Sequence, residues 1–421
     1  MPATSPLLNS AFEHQHGALA CDGVPLAMIA AAVGTPCYVY SAASIRKTYR
    51  AFACAFASYP TALHYALKAN STLAIARLLQ QLGAGADANS GGEIDVALRA
   101  GFAPGDIVFT GVGKTRDEID KAVSLGLRAI NAESAGELER IDVAARARGV
   151  CAPVAVRVNP DIDAGSHPHI STGLAKNKFG LAAREAVAVI KSASTLTGLQ
   201  VAGLHVHVGS QISSLDPLRG AAELAVDLAL QLRRAGVGLT HLDLGGGLGI
   251  AYDGSPVPQV QEYAATLLGA VKPSGLPLII EPGRAIVGPA GALLGRVVDV
   301  KLQPDGKPFV VLDTGMTELI RPAMYGAFHR IVPIEVRAGA PRVVDVVGPL
   351  CESSDTVGAD REMVMPNIDD LMAIMDVGAY GSAMASTYNR RLLAPEVLVE
   401  DGSWRVIRRR QTIDDQLALE T

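Results

Sequence analysis

Cysteine is scarce and unpaired in this chain: Cys21, Cys37, Cys54, Cys151 and Cys351 form an odd set of five in 421 residues, with no Cys-x-x-Cys spacing. That excludes a disulfide framework and a structural zinc knuckle, and it points to a reducing compartment. Aromatic residues make up only 5%, with one tryptophan, and Lys plus Arg (37) do not outnumber Asp plus Glu (42). A formal charge of -5 gives nucleic acid or an anionic membrane surface little to bind. The one basic cluster, Arg408-Arg409-Arg410, reads as a solvated face. No apolar run reaches the ~20 residues that span a bilayer, and Met1–Gly17 lacks the basic start and apolar core of a secretion signal. The expectation is a soluble cytoplasmic protein without nucleic-acid or membrane partners.

What the chain does have is glycine, 43 residues of it, in a sequence that is 49% hydrophobic. Such a balance suits an α/β protein with Ala/Leu-rich helices and loops that approach ligands closely. Between about residues 60 and 285 one unit recurs: a short β-branched apolar run, polar or glycine punctuation, then a helical stretch. The runs are Leu63–Leu67, Gly85–Asn89, Ile107–Thr110, Ala129–Ala132, Val154–Val158, Val201–Val208, His241–Leu244 and Leu278–Ile280. Eight alternating units predict a closed (β/α)8 TIM barrel, class α/β, over residues 45–288. From about 291 onward, apolar runs separated by Gly and Pro predict an antiparallel β domain, a barrel or sandwich, formed by 289–421. Pro36–Tyr40 reads as an extra strand. If it joins that sheet, residues 1–44 belong to the β domain and the barrel is inserted into it.

In such a barrel, residues at the C-terminal strand ends face the active site. In chain order these are Lys68, Asp87 and Asn89, Thr110, Asn131, Arg157 and Asn159, His207, Gly245-Gly246-Gly247, and Glu281 to Arg284. So many polar groups on one face describe a site. Consecutive glycines after strand seven let backbone N–H groups converge on a phosphate, where TIM barrels often bind one. The spacing is not Gly-x-Gly-x-x-Gly, so a dinucleotide fold is excluded. Lys68 among apolar neighbours suits Schiff-base chemistry. Glu281 suits the nitrogen of a heteroaromatic cofactor, and Arg284 a carboxylate. His205 and His207 lie two apart on one strand face, as metal ligands or as a ring that stacks on a cofactor. His64 and His241 fall at strand starts, the wrong end to complete a metal site, so no metal is expected.

Tyr65–Asn70, Ser90–Glu93, Phe109–Lys114, Arg157–Pro160, His167–Gly173, Lys178–Gly180, His205–Gln211, Glu281–Arg284, Cys351–Ser353 and Gly378–Gly381 together resemble the diaminopimelate decarboxylase family. That family belongs to the alanine-racemase-fold pyridoxal-phosphate (PLP) enzymes. The resemblance runs from about residue 30 to the C-terminus. It implies PLP held by Lys68 through its Schiff base, with His207 stacked on the ring and Glu281 at the ring nitrogen. Ser210, Gly245, Gly246, Gly247, Gly283, Arg284 and Tyr380 would surround the phosphate. It further implies Arg284, Arg321, Tyr325 and Tyr380 around substrate carboxylates, Cys351 as proton donor and Glu352 at the distal ammonium. Cys351 and Glu352 would reach the neighbouring subunit's site, making a homodimer.

The implied reaction is decarboxylation of meso-diaminopimelate to L-lysine, the last step of lysine synthesis. A sister decarboxylase acting on ornithine, arginine or a carboxylated polyamine is the nearest alternative; such relatives tend to carry Asp where Glu352 stands. Ser354 departs from the family's usual Gly, which would strain the loop if that position needs a positive φ.

Overall fold

The computed structural model describes residues 11–163, 172–174 and 177–421, so part of the His167–Gly173 motif lies outside the described residues. The chain divides into two compact units: Thr48–Ile250 with Pro256–Ala285, and the chain up to Lys47 with Ala251–Ser255 and Ile286–Thr421.

The first unit is the parallel barrel. Its strands are β1 Thr61–Ala66, β2 Gly85–Ala88, β3 Ile107–Phe109, β4 Ala129–Ala132, β5 Ala152–Asn159, β6 Leu199–Val206, β7 His241–Asp243 and β8 Leu278–Ile280. Each pairs with the next in parallel, and β8 pairs with β1, so the sheet closes. Val108, Ala129, Ala155 and Ile279 pack inside it. Three of the helices start where short polar side chains satisfy free backbone N–H groups. Ser90, Thr115 and Ser134 accept from Glu93, Glu118 and Glu137 and open the helices Gly91–Ala100, Arg116–Leu125 and Ala135–Ala147. Left-handed Gly101 and Gly126 end the first two of these, as C-terminal glycines do. At the opposite pole His64 and His241 are buried, and Gly85 and Gly203 leave room for their rings.

The second unit is built on the long strand Gly291–Leu302. Cys37–Ser41 and Leu371–Met375 flank it antiparallel, and its far end pairs with Pro308–Leu312. The N-terminal strand therefore does join the C-terminal sheet. Phe12, Leu26, Ile29, Val39, Leu294, Met375 and Val397 form its core.

The sheet is mixed where alternation suggested purely antiparallel pairing. Cys37–Ser41 runs parallel to Glu396–Glu400, and Pro308–Leu312 parallel to Pro341–Val347. Side-chain alternation has period two in either direction and carries no sign of the partner's direction. Thr356–Val364 is a strand that its central Asp360, Arg361 and Glu362 conceal. The basic triplet is tied into the unit: Arg408 pairs with Glu396, Arg409 with Asp415, and Arg410 donates to the Val33 and Pro36 carbonyls.

Candidate active site

Lys68 sits one turn past β1, in the 3-10 segment Leu67–Ala69, where the sequence suggests the last strand residue. The turn is held by Tyr65, whose hydroxyl donates to the Asn70 carbonyl at 2.9 Å. Lys68 Nζ donates to Asp87 Oδ2 at 2.9 Å, and Asn89 Nδ2 donates to Asp87 Oδ1 at 2.9 Å. Burial and the charge of Glu281 raise the fully buried Asp87, against the pull of Lys68. Glu93 accepts from the Asn89 N–H at 2.7 Å, and burial pushes its carboxyl up to about 7.

The loop after β7 is one that only glycine can form. Gly245 and Gly247 have φ of +61° and +119°, in the region L side chains rarely adopt. A Cβ on Gly245 would lie 2.5 Å from His207 Nδ1, one on Gly246 2.3 Å from the Glu281 carbonyl oxygen, and one on Gly247 2.8 Å from the Gly209 carbonyl oxygen. Gly283 is similarly close-packed, against Ala66 and Ala69 at 3.0 Å. The backbone of residues 209–212 is laced to this loop: Ile212 N–H donates to the Gly247 carbonyl and Gly249 N–H to the Ile212 carbonyl.

His207 follows β6, and its Nδ1 accepts from the Gly246 N–H at 3.3 Å. Burial, then Lys68 and Arg157, holds this imidazole well below its ordinary range, so the ring is neutral. Arg284 donates from Nε and an Nη to Ser210 Oγ at 3.2 and 3.0 Å. Glu281 is 3% exposed; its N–H donates to the Gly245 carbonyl at 2.7 Å, and its Oε1 has no hydrogen-bond partner. His205 Nε2 lies 3.5 Å from Glu281 Oε2, and Asp243 completes a buried cluster with them. The barrel thus brings Lys68, His207, Ser210, Gly245, Gly246, Gly247, Glu281, Gly283 and Arg284 onto one unit.

The remaining expected residues belong to the second unit. Arg321 is buried at 4% exposure and donates to His329 Nε2 at 2.7 Å, while His329 Nδ1 bonds the Met375 carbonyl at 2.8 Å. The guanidinium lies over the Tyr252 ring at 4.5 Å. Tyr325 is half-buried one turn along the same short helix, Arg321–Tyr325. Cys351 and Glu352 are exposed. Their loop is braced by buried Asp355, which accepts from the Met316 and Leu350 N–H groups at 2.6 and 2.9 Å. Ser354 is absent from the residues with positive φ, so serine is unstrained there. Tyr380 does have φ of +57°, a strained conformation of the kind that clusters at ligand sites.

Three of these supporting residues escape sequence reasoning. Asp243 gains meaning only from register, His329 from a turn eight residues beyond Arg321, and Asp355 from the Met316 N–H, distant in sequence. Asp243 and Glu281 also supply acidic neighbours to His205, which position along the strands did not suggest.

Residues 42–288 match the family described as "Pyridoxal-dependent decarboxylase, pyridoxal binding domain". Over 410 residues the chain is 44% identical to a diaminopimelate decarboxylase of Pseudomonas aeruginosa, covering 97% of this chain and 98% of that protein. Its fold superposes on the crystal structure of diaminopimelate decarboxylase from Helicobacter pylori complexed with L-lysine. The TM-score is 0.91 at 39% identity, over 94% of this chain and 99% of that one. The corresponding M. jannaschii structure in co-complex with L-lysine gives 0.94 at 38% identity, over 99% of both chains. Similarity at this level over the whole length, and not the barrel alone, means that the chain belongs to the diaminopimelate decarboxylase family of pyridoxal-dependent decarboxylases.

Proposed function

We propose that this protein decarboxylates meso-diaminopimelate to L-lysine, using PLP bound at the mouth of the barrel. The observation that carries the reading is the unpartnered Glu281 Oε1 at the end of β8, beside the glycine cradle after β7. A buried carboxylate oxygen without a partner is costly, and a protonated pyridine nitrogen satisfies it. The residues therefore fit the group. When bound, PLP supplies an aldehyde that joins the substrate amine and a ring that accepts the electron pair left by departing carbon dioxide.

The chain's own residues do the rest. Lys68 would hold the cofactor through its Nζ, which Asp87 orients. Neutral His207 would stack on the cofactor ring without adding positive charge. Gly245, Gly246, Gly247, Ser210, Gly283, Arg284 and Tyr380 would hold the phosphate; the Arg284–Ser210 contact favours that task for Arg284 over a clamp on the substrate carboxylate. Arg321, Tyr325 and Tyr380 bind carboxylate, and Glu352 binds the distal ammonium. Cys351 delivers a proton to the substrate carbon. The lining is completed in a homodimer, each copy lending Cys351 and Glu352 to the other, and the enzyme works in the cytoplasm.

Borohydride treatment of the PLP-loaded protein should fix one cofactor on the peptide that contains Lys68, and Lys68→Ala should lose decarboxylation of meso-diaminopimelate. Labelling at another lysine, or undiminished turnover by the variant, overturns the reading.

A further inference from the structure

Beneath Glu281 the barrel interior holds more than a cofactor carboxylate needs. His205 on β6 and Asp243 on β7 stand directly opposite one another in register, and Asp243 pairs with Ile279 of β8, two residues before Glu281. One polar atom from each of the three lies within 4.8 Å of the others. They are 1%, 0% and 3% exposed. Asp243 Oδ1 accepts from the Gly245 N–H at 2.9 Å. Asp243 Oδ2, Glu281 Oε1 and both ring nitrogens of His205 have no hydrogen-bond partner.

Two ionised carboxylates cannot share a sealed pocket at this separation, because repulsion and desolvation both oppose the second charge. One proton on Asp243 removes the repulsion and makes its Oδ2 a donor, while the ionised Glu281 carboxylate keeps lone pairs for a second donor. Of the two, Asp243 is the natural holder. Its other oxygen is already committed to Gly245, whereas His205 beside Glu281 and the positive charge of Lys68 both favour the ionised form of Glu281. We propose that Asp243 is protonated at neutral pH and donates to Glu281, and that Asp243 and His205 are positioning residues that keep Glu281 ionised for the cofactor's ring nitrogen. The last clause rests on the reading of Glu281 given above; the shared proton does not.

The electrostatics agree in direction. Burial, then the charge of Glu281, lifts Asp243 well above the usual carboxylate range. Burial also pushes Glu281 up, but His205 and Lys68 outweigh it and hold Glu281 below its ordinary value. Among the described residues, the other titratable groups that face the set are Asp87 on β2, Lys68 past β1, His207 past β6, Tyr263 on the helix Val260–Val271, and His64 and His241 lower in the barrel. Asp243 also links two parts of the site, since the residue that touches Glu281 also pins the first glycine of the cradle.

Isotope-edited infrared spectroscopy tests the proposal on the full-length protein with and without PLP, with aspartate carboxyls labelled. A protonated carboxyl band should be present at neutral pH and disappear in Asp243→Asn. Asparagine keeps both a donor and an acceptor there, so PLP affinity should stay within about threefold and the pH at which the bound cofactor's absorbance changes should hold. Asp243→Leu and His205→Leu should weaken PLP binding about tenfold or more, one tenfold step corresponding to about 1.4 kcal/mol. Circular dichroism separates this from misfolding, and Asp243→Asn keeps the test decisive if the leucine variants do not fold. Absence of the carboxyl band overturns the proposal, as does stoichiometric metal in the purified protein that Asp243→Asn abolishes. If the band is present but Glu281→Gln leaves cofactor absorbance and affinity unchanged, the shared proton stands and the reading of Glu281 fails.

Discussion

Gly246→Ala is the smallest change that should disable the cofactor cradle. A Cβ there would lie 2.3 Å from the Glu281 carbonyl oxygen and 3.1 Å from its carbon, where ordinary contact begins at 3.4 Å. Both obstructing atoms are backbone, so no side-chain rotation relieves the clash. The loop must move away from the end of β8, yet the Glu281 N–H bond to the Gly245 carbonyl, at 2.7 Å, holds the two together. Overpacking costs about 1–3 kcal/mol, and losing that hydrogen bond adds about 1 kcal/mol. A loss of about 2–4 kcal/mol in a unit of this size lowers Tm by roughly 5–15 °C. Displaced N–H groups should also weaken PLP binding about tenfold or more. Thermal melts with and without PLP, and a PLP titration followed by absorbance, measure both effects. Gly105→Ala is the control: nothing lies within 4 Å of its Cβ position, and its Tm should stay within about 2 °C. A Gly246→Ala protein that melts with the control and binds PLP as tightly would refute the cradle.

Acid should destabilise the barrel through its base. Burial holds His64 and His241 at about 4 against 6.5 for a free histidine, so the unfolded chain takes up protons first as pH falls between those values. Stability is therefore lost on acidification through that window, by up to about 3 kcal/mol for each ring. Urea midpoints from pH 7 to 4 should fall steeply in the parent and less in His64→Gln, and parallel curves would contradict this. Tyr380→Gly should relieve the strain of φ +57°, worth about 1–2 kcal/mol, while removing the proposed phosphate contact. Tm should hold or rise as PLP affinity falls, and a joint fall would place the ring in packing alone. His329→Leu leaves a buried Arg321 N–H without its acceptor. It should raise KM for meso-diaminopimelate about tenfold with kcat within about threefold; an unchanged KM would detach His329 from substrate binding.

The barrel is legible in the sequence because short apolar runs alternate with helical stretches, three of which begin at a serine or threonine cap. All eight strands exist, and only their ends shift, as at Lys68, where the Tyr65–Asn70 bond draws the chain into a turn. The polar residues at strand ends are legible for the same reason, since position along a strand fixes which pole a side chain occupies. Partnership across strands is not legible. Asp243 reads as one more strand residue in His-Leu-Asp until register sets it against His205. His329 and Tyr252 flank Arg321 from separate segments, and nothing in their local sequence marks them. The parallel pairings of the β domain escape because alternation has no direction.

Substrate choice tests the central claim most directly. Purified protein with added PLP should be offered meso-diaminopimelate, L,L-diaminopimelate, ornithine and arginine separately, with carbon dioxide and amine product followed. Carbon dioxide and L-lysine from the meso isomer alone is the predicted result. Release from ornithine or arginine, with none from meso-diaminopimelate, would contradict it and would mean that Arg321 and Glu352 do not recognise a distal amino-acid group.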